Sequence, residues 1–163
     1  MTERFVKPKI MDALFAMKPE SVAIVDAADK QDILQNLSAL FARAWDLDAA
    51  MVLEHLDERE KLGSTGFGRG VAIPHARIPG LSRPVTALLR LRHPASFNAA
   101  DGLPVDLFFG LLSPENSGAS HLHALAAISR LMRDEDIREE LRDAPHEEAI
   151  YGLLTNVSDR SVA

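Results

Sequence analysis

The stretch Gly63-Ser64-Thr65-Gly66-Phe67-Gly68-Arg69-Gly70-Val71-Ala72-Ile73-Pro74-His75-Ala76-Arg77 decides how this chain is read. Four glycines and two hydroxyl residues lead into a short apolar run, which delivers a single histidine directly after a proline. Glycine permits positive φ and close backbone approach. Proline fixes its own φ and withdraws one backbone donor, so the chain cannot simply continue here as a helix or a central strand. The expectation is a histidine held on a stiff turn at the end of the short strand Val71-Ala72-Ile73.

Working outward, Val22 to Val25 reads as a short buried strand rich in β-branched residues. Asp29 is placed to cap a helix on which Ile33, Leu34, Leu37, Leu40 and Phe41 recur at helical spacing, with Trp45 near its end. Asp48 is placed to cap a second helix, with Met51, Val52, Leu56 and Leu62 on its apolar side and Gly63 ending it. Its carboxylates Asp57, Glu58 and Glu60 read as a solvated face beside Arg59 and Lys61. Downstream, Pro79-Gly80 and Asp101-Gly102 are turn signals, and Val85 to Leu91 and Val105 to Leu112 are strand candidates. Asp106 interrupts the latter and reads as solvent-facing. A helix follows with His121, Leu125, Ile128 and Met132 on one stripe. Asp134 then caps a helix through Leu141, and a last helix runs from about Glu147 to Leu154. The tail after Asn156 is polar and expected to fray. Interspersed strands and helices predict an α/β fold: one domain over residues 1–163, core about 17–154 and polar tail 157–163, with a mixed sheet flanked by helices.

The chain has 163 residues, enough for one core without staples. It has no cysteine, which excludes disulfides, thiolate zinc sites and cysteine nucleophiles. A formal charge of −6 argues against a general nucleic-acid binder. Met1 to Pro8 lacks the apolar core of a signal peptide, and no apolar run approaches the roughly 20 residues needed to span a bilayer. A cytoplasmic protein with no membrane insertion is expected.

Several motifs are missing: the Gly-x-x-x-x-Gly-Lys phosphate loop, the Gly-x-Gly-x-x-Gly dinucleotide fingerprint, the Gly-x-Ser-x-Gly elbow and His-Glu-x-x-His. His75 remains. Imidazole is nucleophilic near neutral pH, provided that one ring nitrogen is exposed and the other is held by a partner. A phosphoryl group arriving there needs donors. Backbone N–H groups from Gly68 to Val71, the hydroxyls of Ser64 and Thr65, and an arginine are placed to supply them. His121, in the first turn of its helix, is a second candidate. His123 faces another side and reads as surface, while His55, His93 and His146 read as solvated or cap-like. The spacing of His75, His121 and His123 matches no helical metal-ligand pair, so no metal and no cofactor are expected. An apolar docking rim would include Phe67, Ile78 and Leu81.

Leu56-x-x-Arg59-Glu60-x-x-Gly63-Ser64-Thr65-Gly66-x-Gly68-x-Gly70-Val71-Ala72-Ile73-Pro74-His75-Ala76-Arg77 resembles the active-site signature of the fructose/mannitol-type IIA domain of the bacterial phosphoenolpyruvate-dependent phosphotransferase system. Asp101-Gly102-x-Pro104-Val105-Asp106-Leu107 and His121-Leu122-x-x-Leu125-Ala126 resemble later segments of that family. Ser-Thr-Gly-x-Gly with Pro-His-Ala-Arg resembles its nitrogen-regulatory branch. The resemblance implies that His75 takes a phosphoryl group on Nε2 from an HPr-like phosphocarrier, that His121 and Arg59 help hold it, and that regulated target proteins are the partners. Two other roles stay open: a sugar-transport component passing phosphate to a IIB partner, and a binding module that is never phosphorylated.

Overall fold

The computed structural model describes residues 14–161, so the expectation for Met1 to Pro8 lies outside it. In chain order the elements are β1 (Val22–Val25), α1 (Lys30–Trp45), α2 (Ala49–Lys61), β2 (Gly66–Gly68), β3 (Val71–Ala72), β4 (His75–Ile78), β5 (Val85–Ala95), β6 (Val105–Pro114), α3 (Ala119–Arg133), α4 (Glu135–Asp143) and α5 (Glu147–Ser161). A 3-10 turn, Pro19–Ser21, precedes β1. The α5 backbone continues past the expected end at Leu154 and through most of the tail read as frayed.

The sheet is mixed. It runs β1-β5-β6-β3-β2, with β4 also paired to β6. The β1–β5, β3–β6 and β4–β6 pairs are parallel, and β5–β6 and β2–β3 are antiparallel. Alternation along the strands separates two cores. One face, with Val71, Ile73, Leu107, Phe109 and Leu111, packs against α3, α4 and α5. The other, with Ala72, Ala76, Ile78, Phe108 and Leu112, packs against α1 and α2.

Helix starts follow the sequence closely. Asp29 accepts from the Asp32 amide at 2.8 Å, Asp48 from that of Ala50 at 2.9 Å, and Asp134 from that of Ile137 at 3.1 Å. Two long side chains fasten helices to the sheet: Trp45 Nε1 donates to Thr86 O at 2.9 Å, and Arg90 donates to the carbonyls of Leu141 and Ala144. Some expected placements are corrected. Leu62 is not on the apolar side of α2 but 84% exposed, because the helix has ended there. On α3 the buried stripe is His121, Ala124, Ala127, Ile128, Leu131 and Met132, with Leu125 only half-buried. Ile78 is fully buried and leaves no apolar rim at that position. Asp106 is not solvent-facing but pairs with Arg142, whose Nε donates to both carboxylate oxygens at 3.0 Å.

β3 and β4 behave as one strand with a break. Val71 lies beside Leu107 and His75 beside Leu111, so register against β6 is kept across Ile73-Pro74. The break falls where Pro74 has no N–H to give, while its carbonyl still accepts from Leu111 N at 3.0 Å. Sequence reasoning did not find β2 or β4; both are too short for periodicity to register.

No helix among the described residues is long and apolar enough to cross a membrane.

The contact of α1 with the sheet depends on Gly110. A Cβ there would lie 2.7 Å and 2.9 Å from ring carbons of Phe41 and 3.2 Å from Leu37, both fully buried. Gly110→Ala is therefore expected to destabilise the protein by about 1–3 kcal/mol in urea unfolding, through overpacking. A midpoint equal to wild type would show that α1 yields without cost.

Candidate functional site

His75 is the first residue of β4, which has β6 on one side and no strand on the other among the described residues. Its odd register position turns it toward the α3 layer. Nδ1 lies 2.7 Å from the carbonyl oxygen of Ile73, two residues back across the proline. A carbonyl only accepts, so Nδ1 carries the hydrogen. Nε2 is then left with its lone pair, and the Nε–H of Arg59 points at it from 3.2 Å. Arg59 is itself anchored, with Nη1 donating to Gly63 O at 2.8 Å.

His121 faces His75 from the first turn of α3, with ring centroids 5.6 Å apart. Its Nδ1 sits 2.7 Å from the buried hydroxyl of Ser113 on β6. His121 is only 3% exposed. Burial, then the positive charges of Arg77 and His75, push its pKa down to about 4. Burial is also the main force lowering the pKa of His75. The Ile73 carbonyl opposes it, Arg59 and Arg77 add to it, and Glu60 works against them. Both rings are therefore neutral at neutral pH.

An open cleft of about 380 Å³ is lined by Arg59, His75, Arg77 and His121, with the exposed Leu62 and Leu122 among its walls. A second cleft shares Arg59 and His75 and continues over Ser64, Thr65 and Phe67. The hydroxyls of Ser64 and Thr65 reach this region but are already committed. Ser64 Oγ donates to Phe97 O at 2.7 Å, and Thr65 Oγ1 donates to Glu60. Gly68 and Gly70 line neither cleft. They sit at the tip of the β2–β3 hairpin, where the Arg69 amide donates to Asp101 and Arg142 donates to the Arg69 carbonyl. Phe67, at 37% exposure, belongs to the rim.

Glu60 departs most from its expected solvated position. It is 6% exposed, accepts from the Thr65 amide at 3.1 Å and pairs with Lys30 at 3.0 Å. The helical pattern of α2 carried a signal for this: Glu60 follows Val52 and Leu56 at intervals of four. Of the remaining histidines, His123 is exposed, His146 accepts from the Ala149 amide at the start of α5, and His55 lines the first cleft.

A family model described as "Phosphoenolpyruvate-dependent sugar phosphotransferase system, EIIA 2" matches residues 16–157. A nitrogen regulatory protein of Pseudomonas aeruginosa is 43% identical over 140 residues, covering 85% of this chain and 91% of the relative. One from Bradyrhizobium diazoefficiens is 47% identical over 125 residues, covering 77% and 82%. The crystal structure of nitrogen regulatory protein IIA-Ntr from Neisseria meningitidis superposes with a TM-score of 0.79 at 35% identity, covering 89% of this chain and 99% of that one. The chain belongs to the EIIA 2 family of the phosphoenolpyruvate-dependent sugar phosphotransferase system and resembles that family's nitrogen regulatory members.

Proposed function

We propose that this chain is a regulatory phosphocarrier: His75 accepts a phosphoryl group on Nε2 from a histidine of an HPr-like protein, and its phosphorylation state selects the target proteins that it binds. The observation that carries this reading is the tautomer of His75. Ile73 holds the hydrogen on Nδ1, so Nε2 of this cleft-lining ring carries the electron pair and accepts from Arg59.

The transfer balances without a co-reactant. The Nε2 lone pair of His75 forms the new P–N bond, and the electron pair of the breaking P–N bond returns to the donor imidazole. Each ring keeps its own N–H. Little covalent help is needed beyond alignment and charge. Arg59 first has to release Nε2, and its anchor at Gly63 keeps the guanidinium beside the phosphoryl oxygens as it does so. His121, with Nδ1 held by Ser113, has Nε2 free to face the same oxygens. Ser64 and Thr65 act one step back by fixing the loop between α2 and β2. Gly68 and Gly70 act through the hairpin that carries the chain into β3. A phosphoryl group on His75 adds nearly two negative charges to an exposed cleft, enough to exchange one set of partners for another.

Incubation with phosphoenolpyruvate and the upstream carriers is expected to add the mass of a single phosphoryl group, read on intact protein at alkaline pH. His75→Ala is expected to add none; equal labelling of that variant would remove His75 as the nucleophile.

The titration of His121 also has a stability signature. Unfolded, the ring titrates near the usual 6.5; folded, near 4. The unfolded chain binds the extra proton in this window, so stability is complete above pH 6.5 and falls as the pH drops toward 4. Thermal melts are expected to show that fall, weakened in His121→Gln. A slope of the opposite sign would mean that the ring is charged in the folded protein.

A further inference from the structure

We propose that Arg77 is a second phosphoryl-binding guanidinium, lining the same cleft as Arg59 and His75 and holding the phosphorylated state of the site. This rests on the reading of His75 as the phosphoryl acceptor.

The placement follows from β4. Burial along His75-Ala76-Arg77-Ile78 alternates: Ala76 and Ile78 enter the core, while His75 is half-buried and Arg77 exposed. His75 and Arg77 therefore share one face of an edge strand. Register sets Arg77 beside Ser113, whose hydroxyl holds His121. Arg77 thus stands next to both imidazoles and lines the cleft between them.

Its guanidinium is lightly tethered. Among the described residues, it donates from Nη2 to Gly118 O at 3.5 Å, long for a hydrogen bond. Arg59, by comparison, already spends two N–H groups on His75 and Gly63. Arg77 can leave Gly118 at little cost when a stronger acceptor arrives.

Charge explains why a second arginine is needed. Glu58 lines the same cleft and offsets Arg59, while the buried Glu60 is paired with Lys30. The two imidazoles are neutral at neutral pH. Among the lining side chains that are permanently charged there, Arg77 is what leaves the cleft positive. Burial is the main cause of the lowered basicity of His121, and the charge of Arg77 beside it adds to that lowering. A phosphoryl dianion in the cleft would take charge-assisted hydrogen bonds from this guanidinium.

The test uses the full chain with phosphoenolpyruvate and a charged HPr-like carrier, reading how the phosphoryl group partitions between carrier and chain at equilibrium. Arg77→Gln is expected to move that partition about tenfold toward the carrier. Arg77→Lys, which keeps the charge but loses the fork, is expected to fall between the two. In the unphosphorylated Arg77→Gln protein, the His121 ring is expected to titrate at higher pH by NMR. Arg77 is exposed and, among the described residues, has no buried side-chain partner, so both variants should melt with the wild type. A wild-type partition in Arg77→Gln, with His75→Ala unlabelled, would overturn the role of Arg77 and leave His75 as the acceptor. Labelling of His75→Ala would overturn the underlying reading instead.

Discussion

The hydrogen bond from Nδ1 of His75 to the carbonyl of Ile73 is the contact on which the site depends. It closes across one proline, between residues two apart. Pro74 supplies no N–H, so the strand beside β6 is interrupted there without slipping register. The interruption lets a side chain turn back on its own backbone. The bond fixes the tautomer, and with it which nitrogen is basic and where it points.

Around this bond, polar groups are arranged in layers. Arg59 reaches the ring from the end of α2, and His121 from the start of α3, while Glu60 lies beneath with Lys30 and Thr65. A buried carboxylate is costly unless it is paired and hydrogen-bonded, and Glu60 is both. It joins α1, α2 and the glycine-rich loop at one point, so Arg59, the residue before it, is carried on a rigid support. The neutrality of both imidazoles has a related origin. Partial removal from water, reinforced by nearby arginines, disfavours the charged ring and keeps the electron pair on Nε2 available.

The exposed leucines Leu62 and Leu122 belong to the same cleft as these charges. Apolar walls beside a charged centre strengthen local electrostatics and offer a surface from which a partner protein can exclude water.

Local signals in the sequence carried a good part of this far. The aspartate caps at 29, 48 and 134, the strand at Val22, the long apolar runs of β5 and β6 and the Ile73-Pro74-His75 corner all follow from neighbours within one or two turns of chain. So does the α/β class. Pairing required the fold: β2 and β4 are recognisable only through partners distant in sequence, as Glu60 is through Lys30 and Asp106 through Arg142. A side chain's alternation or helical spacing says which way it faces along its own element, but whether that direction meets water, a carboxylate or a second imidazole is set by what packs opposite. By itself, then, the sequence determined a histidine presented after a proline, with Arg77 two residues on along the same strand; only the tertiary structure decided that Arg59 and His121 meet it and that burial keeps it neutral, because they arrive on α2 and α3 from distant parts of the chain.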